Sequence, residues 1–267
     1  MACYDGPDSS GAVQLGALLA AAVQQPLILA CAYAYDPVAL SAQVTSAQGN
    51  DARFDAAQHR VERAERLVPD SVKVRSVVVP AEGVPQALAD FAREVDACVL
   101  VVGRDLGGHV TRLVLQRALC PVAVSPLSVP LPGEGRIETI GVAYDASPGA
   151  RFALSAAMHL ASLTGARVKV IAIGTQVNAG VAADPVPEPI EIDTCLMSGD
   201  PGACLIEATN ELDLLLCGSH GRGRALSAIL GSVSARLLEA AHCPVVVIPP
   251  KIRHRVAAPL GLSTAAG

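Results

Sequence analysis

Four residues in the C-terminal part of the chain have types and spacing suited to chemistry: Gly218, Gly221, Gly231 and Ser232, in the pattern Gly-x2-Gly-x9-Gly-Ser. An apolar run at 214–217 leads into the first glycine, and a second at 245–248 follows after room for one helix. The order is therefore strand, glycine-rich loop, helix, strand. Glycine tolerates positive φ and lets a backbone N–H approach a phosphate with no Cβ in the way. Ser232 and Val233, at the helix start, offer N–H groups without acceptors inside the helix, together with the positive end of the helix dipole. Such an end binds anions. Arg222 and Arg224, between the glycines, could set guanidinium groups against a polyphosphate. The plainer alternative is a glycine-rich turn that only reverses the chain. The whole pattern in strand-to-helix context favours a nucleotide.

This stretch resembles the universal stress protein family, whose ATP-binding members carry Gly-x2-Gly-x9-Gly-[Ser/Thr] at this place. Here all four defining positions match, and the flanking GSHGRG and HCPVVVIP segments are similar to the family too. The resemblance extends, less sharply, over almost the whole chain. It implies an adenine nucleotide alpha hydrolase-like, Rossmann-like fold with an ATP pocket in the second half. On that resemblance Ala143 and Asp145, at the end of that half's first strand, and Ile173, at the end of its second, line the adenine and ribose side. Cys217, Gly218, His220 and Gly221 form the loop after the fourth strand. Gly231, Ser232 and Val233 begin the phosphate-binding helix, and Ser234 adds a further hydroxyl. The family reading implies a cytoplasmic stress or dormancy factor whose nucleotide occupancy alters a surface seen by a protein partner. The two halves would pair through their last strands, as separate family members do in dimers, and a homodimer of the whole chain is compatible with this.

Two side chains in that set keep alternatives open. Asp145 either caps the start of a helix or faces the ligand, carrying a Mg²⁺ beside the phosphates or contacting the ribose. His220 is a ligand contact or a solvent-facing residue; as a lone histidine in a loop it has no partner that would make it catalytic. No general base or nucleophile is positioned by any motif, so binding and signalling are expected rather than fast turnover. Gly-x4-Gly-Lys-[Ser/Thr], His-Glu-x-x-His and Gly-x-Ser-x-Gly are all absent, which removes support for P-loop, zinc peptidase and serine hydrolase chemistry. The competing readings are a slow metal-assisted ATPase using Asp145 and a scaffold that binds no nucleotide.

The elements that must position these residues repeat. CVLVVG at 98–103 corresponds to DLLLCG at 213–218, and ALCPVAV at 118–124 to AHCPVVV at 241–247. Each half also opens on a strand ending in Asp, ACYDGPDSSGA and VAYDASPGAR. Apolar runs alternating with helical periods imply two tandem α/β domains, each doubly wound around five parallel strands. The expected division is 1–127, a linker at 128–135, 136–250, and a mobile tail at 251–267.

In the first half, Leu15, Leu18, Leu19 and Ala22 share a helical face, 27–33 is a strand, and 48–67 an exposed helix. A strand at 72–79, a helix through Leu88, Phe91, Ala92 and Val95, a strand at 98–102, a last helix and a strand at 122–124 follow. The second half begins with a strand at 137–143. Its first helix starts at Ser147-Pro148, stops at Gly165, and should bury Phe152, Ala156, Leu160 and Leu163. After a strand at 168–173, the proline-rich segment 174–189 reads as a loop where the first half has a crossover helix. Asp200-Pro201 opens the helix before the glycine loop.

The first half lacks the intact motif. From Gly103 to Cys120 is 17 residues, against 25 from Gly218 to Cys243, so its loop is shorter by 8. Alignment on the cysteines sets Gly108 opposite Gly231, His109 opposite Ser232 and Thr111 opposite Ser234. This half is expected to bind ATP poorly or not at all. Its first strand begins almost at Met1, so that its edge is incomplete or the start is wrongly chosen.

Composition sets the remaining bounds. A net charge of −5 and 3% aromatic residues with no Trp argue against nucleic-acid binding. The eight cysteines include no Cys-x-x-Cys pair and read as small buried residues in a reducing compartment. The apolar run at 12–35 is interrupted by Gln24, Gln25 and Pro26 and lacks a basic start, so it reads as helix then strand, with no membrane segment.

Overall fold

A computed structural model of the protein describes residues 2–4, 10–35, 44–104, 109–126, 136–174, 190–219 and 230–249. The first half runs β1 (Ala2–Tyr4), α1 (Ser10–Ala22), β2 (Leu27–Ala34), α2 (Val44–Glu65), β3 (Val74–Ala81), α3 (Val84–Glu94), β4 (Leu100–Gly103), α4 (His109–Arg117) and β5 (Val122–Ser125). The second runs β6 (Thr139–Ala143), α5 (Pro148–Thr164), β7 (Arg167–Ile173), β8 (Ile192–Met197), α6 (Pro201–Ala208), β9 (Leu214–Gly218), α7 (Ser232–Ala240) and β10 (Val245–Ile248).

All ten strands join one sheet in the order β3-β2-β1-β4-β5-β10-β9-β6-β7-β8. Read outward from the middle, each half has the same winding, and every pairing within a half is parallel. The halves meet through their last strands, β5 against β10, with Val122, Ala123 and Val124 opposite Val247, Val246 and Val245 in antiparallel register. The expected α/β class and the pairing of last strands are thus met, with the two five-stranded sheets fused into one.

Burial follows the pattern that a parallel sheet covered on both faces requires. The central strands β5 and β10 are buried at every position, while the outer strand β8 has only exposed and half-buried residues. One apolar core runs across the seam, including Leu15, Leu100 and Val122 from the first half and Ile140, Leu215 and Leu237 from the second. Each fully buried Leu of this set contributes about 2 kcal/mol from area removed from water.

The helix that leads out of β6 has the termini its sequence announces. Ser147 Oγ accepts the Ala150 N–H at 3.2 Å, Pro148 stands in the first turn, and Gly165 ends the helix at φ 75°, a conformation that glycine adopts without a steric cost. Its buried face matches the expected one at Ala156 and Leu160 and departs from it at the two bulkiest positions. Phe152 and Leu163 are 37% and 47% exposed, and the buried residues include Ala153, Leu154, Ala157, Leu160 and Ala161. Alanines let α5 sit low over β6 and β9, and this turns the two bulky side chains out to the flank. The exposed helix expected at 48–67 is α2, which buries Ala57, Val61 and Ala64 along one side.

Among the described residues no helix is long and apolar enough to cross a membrane. The segments 128–135, 175–189 and 251–267, read above as linker, loop and tail, lie outside the described residues.

Candidate functional site

β6 and β9 are neighbours in the sheet, with Val142 opposite Leu216. The chain leaves β6 through α5 toward one edge of the sheet and leaves β9 through α7 toward the other. With right-handed crossovers these two helices cover opposite faces, so a crevice opens beyond the carboxyl ends of β6 and β9. This is the topological switch point of the second half, where ligands of doubly wound sheets bind.

On the β6 side, Ala143 is half-buried and Tyr144 is buried, its N–H bonded to Ile171 O at 2.9 Å. One carboxylate oxygen of the half-buried Asp145 accepts the Ser147 N–H at 3.0 Å. Asp145 therefore shapes the turn into α5, whatever else it meets. Ala146, between them, has φ 62°, a left-handed conformation that costs a non-glycine residue about 1 kcal/mol. Ile173, at the end of β7, is half-buried and pairs with Met197 of β8.

On the β9 side, Cys217 is buried and its thiol is pushed up to about 12, chiefly by loss of solvation. It is a core residue, and only its backbone is placed to meet a ligand. A Cβ on Gly218 would lie 3.1 Å from the carbonyl carbon and 3.2 Å from the Cα of Gly149 in the first turn of α5. Close packing on that turn accounts for this glycine without any phosphate. Ser219 is buried, donates its N–H to Ile248 O at 2.9 Å, and accepts the Gly231 N–H at 2.7 Å. The glycine-rich loop is thereby closed at its base. Ser234, also buried, donates its hydroxyl to Gly218 O at 2.9 Å and approaches Ser219 O at 3.4 Å. Its hydrogen is spent on pinning α7 to the end of β9, which leaves it an accepting oxygen.

Gly231 is the N-cap of α7 at φ −66°, ψ 156°, extended backbone open to any residue. Ser147, which caps α5, has nearly the same angles, φ −69° and ψ 159°. The backbone is that of a side-chain-capped helix with the capping atom deleted. Asp200, the N-cap of α6, accepts the Ala203 N–H at 2.8 Å. Gly83 opens α3 equally bare, but a proline in that first turn removes one amide, and α3 leads out of β3 at the rim of the sheet. At α7 the exposed Ser232 and the half-buried Val233 have first-turn amides that the helix cannot satisfy. His220 and Gly221, with Arg222 and Arg224, lie outside the described residues.

The first half repeats the joint and lacks the loop. Thr111 Oγ1 donates to Gly103 O at 3.3 Å, the counterpart of Ser234 to Gly218. Arg104 N–H bonds to Ser125 O at 3.0 Å, as Ser219 N–H does to Ile248 O. The alignment of Thr111 with Ser234 thus has a structural equivalent; Gly107 and Gly108 lie outside the described residues. Spacing did not single out Ser219 or Arg104, although the alignment of Gly103 with Gly218 puts them at the same position.

A model of the Universal stress protein family matches residues 175–249. A universal stress protein of Mycobacterium tuberculosis is 41% identical over 63 residues, which are 24% of this chain and 23% of that relative. This match spans less than a quarter of the relative's length. A universal stress protein of Mycolicibacterium smegmatis is 26% identical over 230 residues, covering 73% of this chain and 77% of the relative. The crystal structure of a universal stress protein from Archaeoglobus fulgidus aligns with a TM-score of 0.67 at 16% identity, over 93% of this chain and 96% of that one. At that identity the likeness concerns the fold.

Proposed function

The chain belongs to the universal stress protein family, and on that premise we propose that its second half binds ATP at the mouth of β6 and β9. The protein then acts in the cytoplasm as a nucleotide-dependent stress-response or signalling factor. The observation that carries this reading is the bare N-cap of α7: capping geometry without a capping atom, at the switch point, after a Gly-x2-Gly loop. The phosphates would take the place of the missing side chain, held by the amides of Ser232 and Val233 with Gly218, His220 and Gly221 in the loop beside them. Ala143, Ile173 and the backbone of Cys217 would line the base and ribose side. Ser234 would fix the angle between loop and helix.

Among the described residues no group of three or more His, Cys, Asp or Glu side chains could hold a metal ion. A Mg²⁺ would arrive with the phosphates, which suits an ion that keeps several waters and takes few protein ligands. Asp145, which also accepts the Ser147 N–H, would be the carboxylate to meet it.

The test is to heat-denature freshly purified protein and assay the supernatant for adenine nucleotide, then to titrate stripped protein with ATP. The control is Gly231→Asp. Its backbone angles accommodate Asp, whose carboxylate would cap α7 from within and repel a phosphate. We expect wild type to carry or bind ATP, and G231D to lose it while its stability to urea holds or rises by a few tenths of a kcal/mol. Wild type that carries nothing and binds no added ATP would make the protein a nucleotide-free scaffold.

A further inference from the structure

Because β5 and β10 run antiparallel, the carboxyl ends of the first half's strands lie beside the amino ends of the second half's. α7 ends where β10 is about to begin, so its C-terminus falls next to the end of β4. Arg104 occupies that place. Its two terminal nitrogens donate to the carbonyls of Glu239 and Ala241, each at 3.0 Å. Those carbonyls belong to the last turn and the C-cap of α7, where the helix has no donors for them. The guanidinium also sits at the negative end of the helix dipole. Its Nε is buried without a partner among the described residues, and burial lowers the pKa of the group. A half-buried guanidinium spent on two carbonyls of one helix end is a contact that fixes position.

The contact runs one way. By the repeat, the counterpart of Arg104 is Ser219, one residue past the matching glycine and with the same backbone bond to the last strand. A serine is too short to reach across the seam to the end of α4, and here it closes the glycine loop instead. The half without the motif thus contributes the arginine, and the half with the motif receives it.

Building on the ATP reading, we propose that Arg104 is a positioning residue for the nucleotide site, through which the first half holds the phosphate-facing helix of the second. With nine residues α7 is about 13 Å long, short enough to move as a rigid rod. Ser234 holds it at one end, Arg236 ties its flank to Asp200, and Arg104 fixes the other end. Without Arg104 the rod pivots on Ser234, and the amides of Ser232 and Val233 lose their fixed aim. A first half that binds no nucleotide would on this account still set the affinity of the second.

The experiment compares wild type, R104A and R104K of the full chain by ATP titration and by hydrogen–deuterium exchange of α7 in the absence of nucleotide. The expected result is about tenfold weaker ATP binding in R104A, with faster exchange confined to the amides from Ala235 onward. R104K, which keeps the charge and can reach one carbonyl, should fall between. Unchanged α7 exchange in R104A overturns the proposal, as does exchange that rises equally throughout the chain. Unchanged affinity in R104A, with wild type binding ATP, overturns it too. If wild type binds no ATP, the nucleotide reading fails separately. Local loosening of α7 in R104A then still supports the clamp, and its absence still removes it.

Discussion

Ser234 shows how one hydroxyl can set the joint between a strand and the helix that follows it. Its O–H bridges the first turn of α7 to the carbonyls at the end of β9, and the same bond recurs at Thr111 in the half that lacks the loop. A bond retained where the motif is lost belongs to the joint between strand and helix. Replacing Ser234 by Ala should therefore lower stability by about 1–2 kcal/mol, since buried carbonyls lose a donor, and urea denaturation measures this directly. ATP affinity should fall only as far as α7 shifts, severalfold at most. Abolished ATP binding at unchanged stability would instead make Ser234 a direct ligand contact.

At the scale of elements, helix starts carry most of what the sequence made legible. Ser147-Pro148 and Asp200-Pro201 mark α5 and α6 because capping is local chemistry, written in adjacent residues. Gly231 marks the start of α7 for a different reason from the one glycine first suggests: its φ is ordinary, and the missing side chain matters. The buried face of α5 is legible at Ala156 and Leu160 but not at Phe152 and Leu163, because periodicity gives weight to large side chains where close packing on a sheet favours small ones. Arg104 was not legible at all, since its partners stand 135 and 137 residues away and only the antiparallel seam joins them. Asp200 offers a test at this scale, because it caps α6 and also binds Arg236 of α7. The Ala203 amide and then Arg236 hold its carboxyl below the ordinary value of 3.8. A depressed folded-state pKa gives stability that is present above the unfolded value and is lost as pH falls through the folded one. Asp200→Asn, which can still cap, should flatten the acid limb of the stability curve below about pH 4. An acid limb as steep as that of wild type would show that other carboxylates govern it.

The whole molecule depends on the β5–β10 seam, which does two jobs. It removes an exposed strand edge from each half, and it turns the halves head to tail so that Arg104 meets α7. The core is continuous across it, so wild type should unfold in urea as one cooperative transition followed by circular dichroism. Ala123 faces Val246 in this ladder, and both are buried. Ala123→Asp would bury a carboxylate with no partner, at a cost of several kcal/mol, and it would be felt first where the halves join. The expected outcome is two separated transitions, together with the ATP affinity loss expected of R104A, because opening the seam withdraws the arginine from α7. If A123D separates the transitions yet leaves ATP binding intact, the second half holds its phosphate helix unaided and the seam serves stability alone.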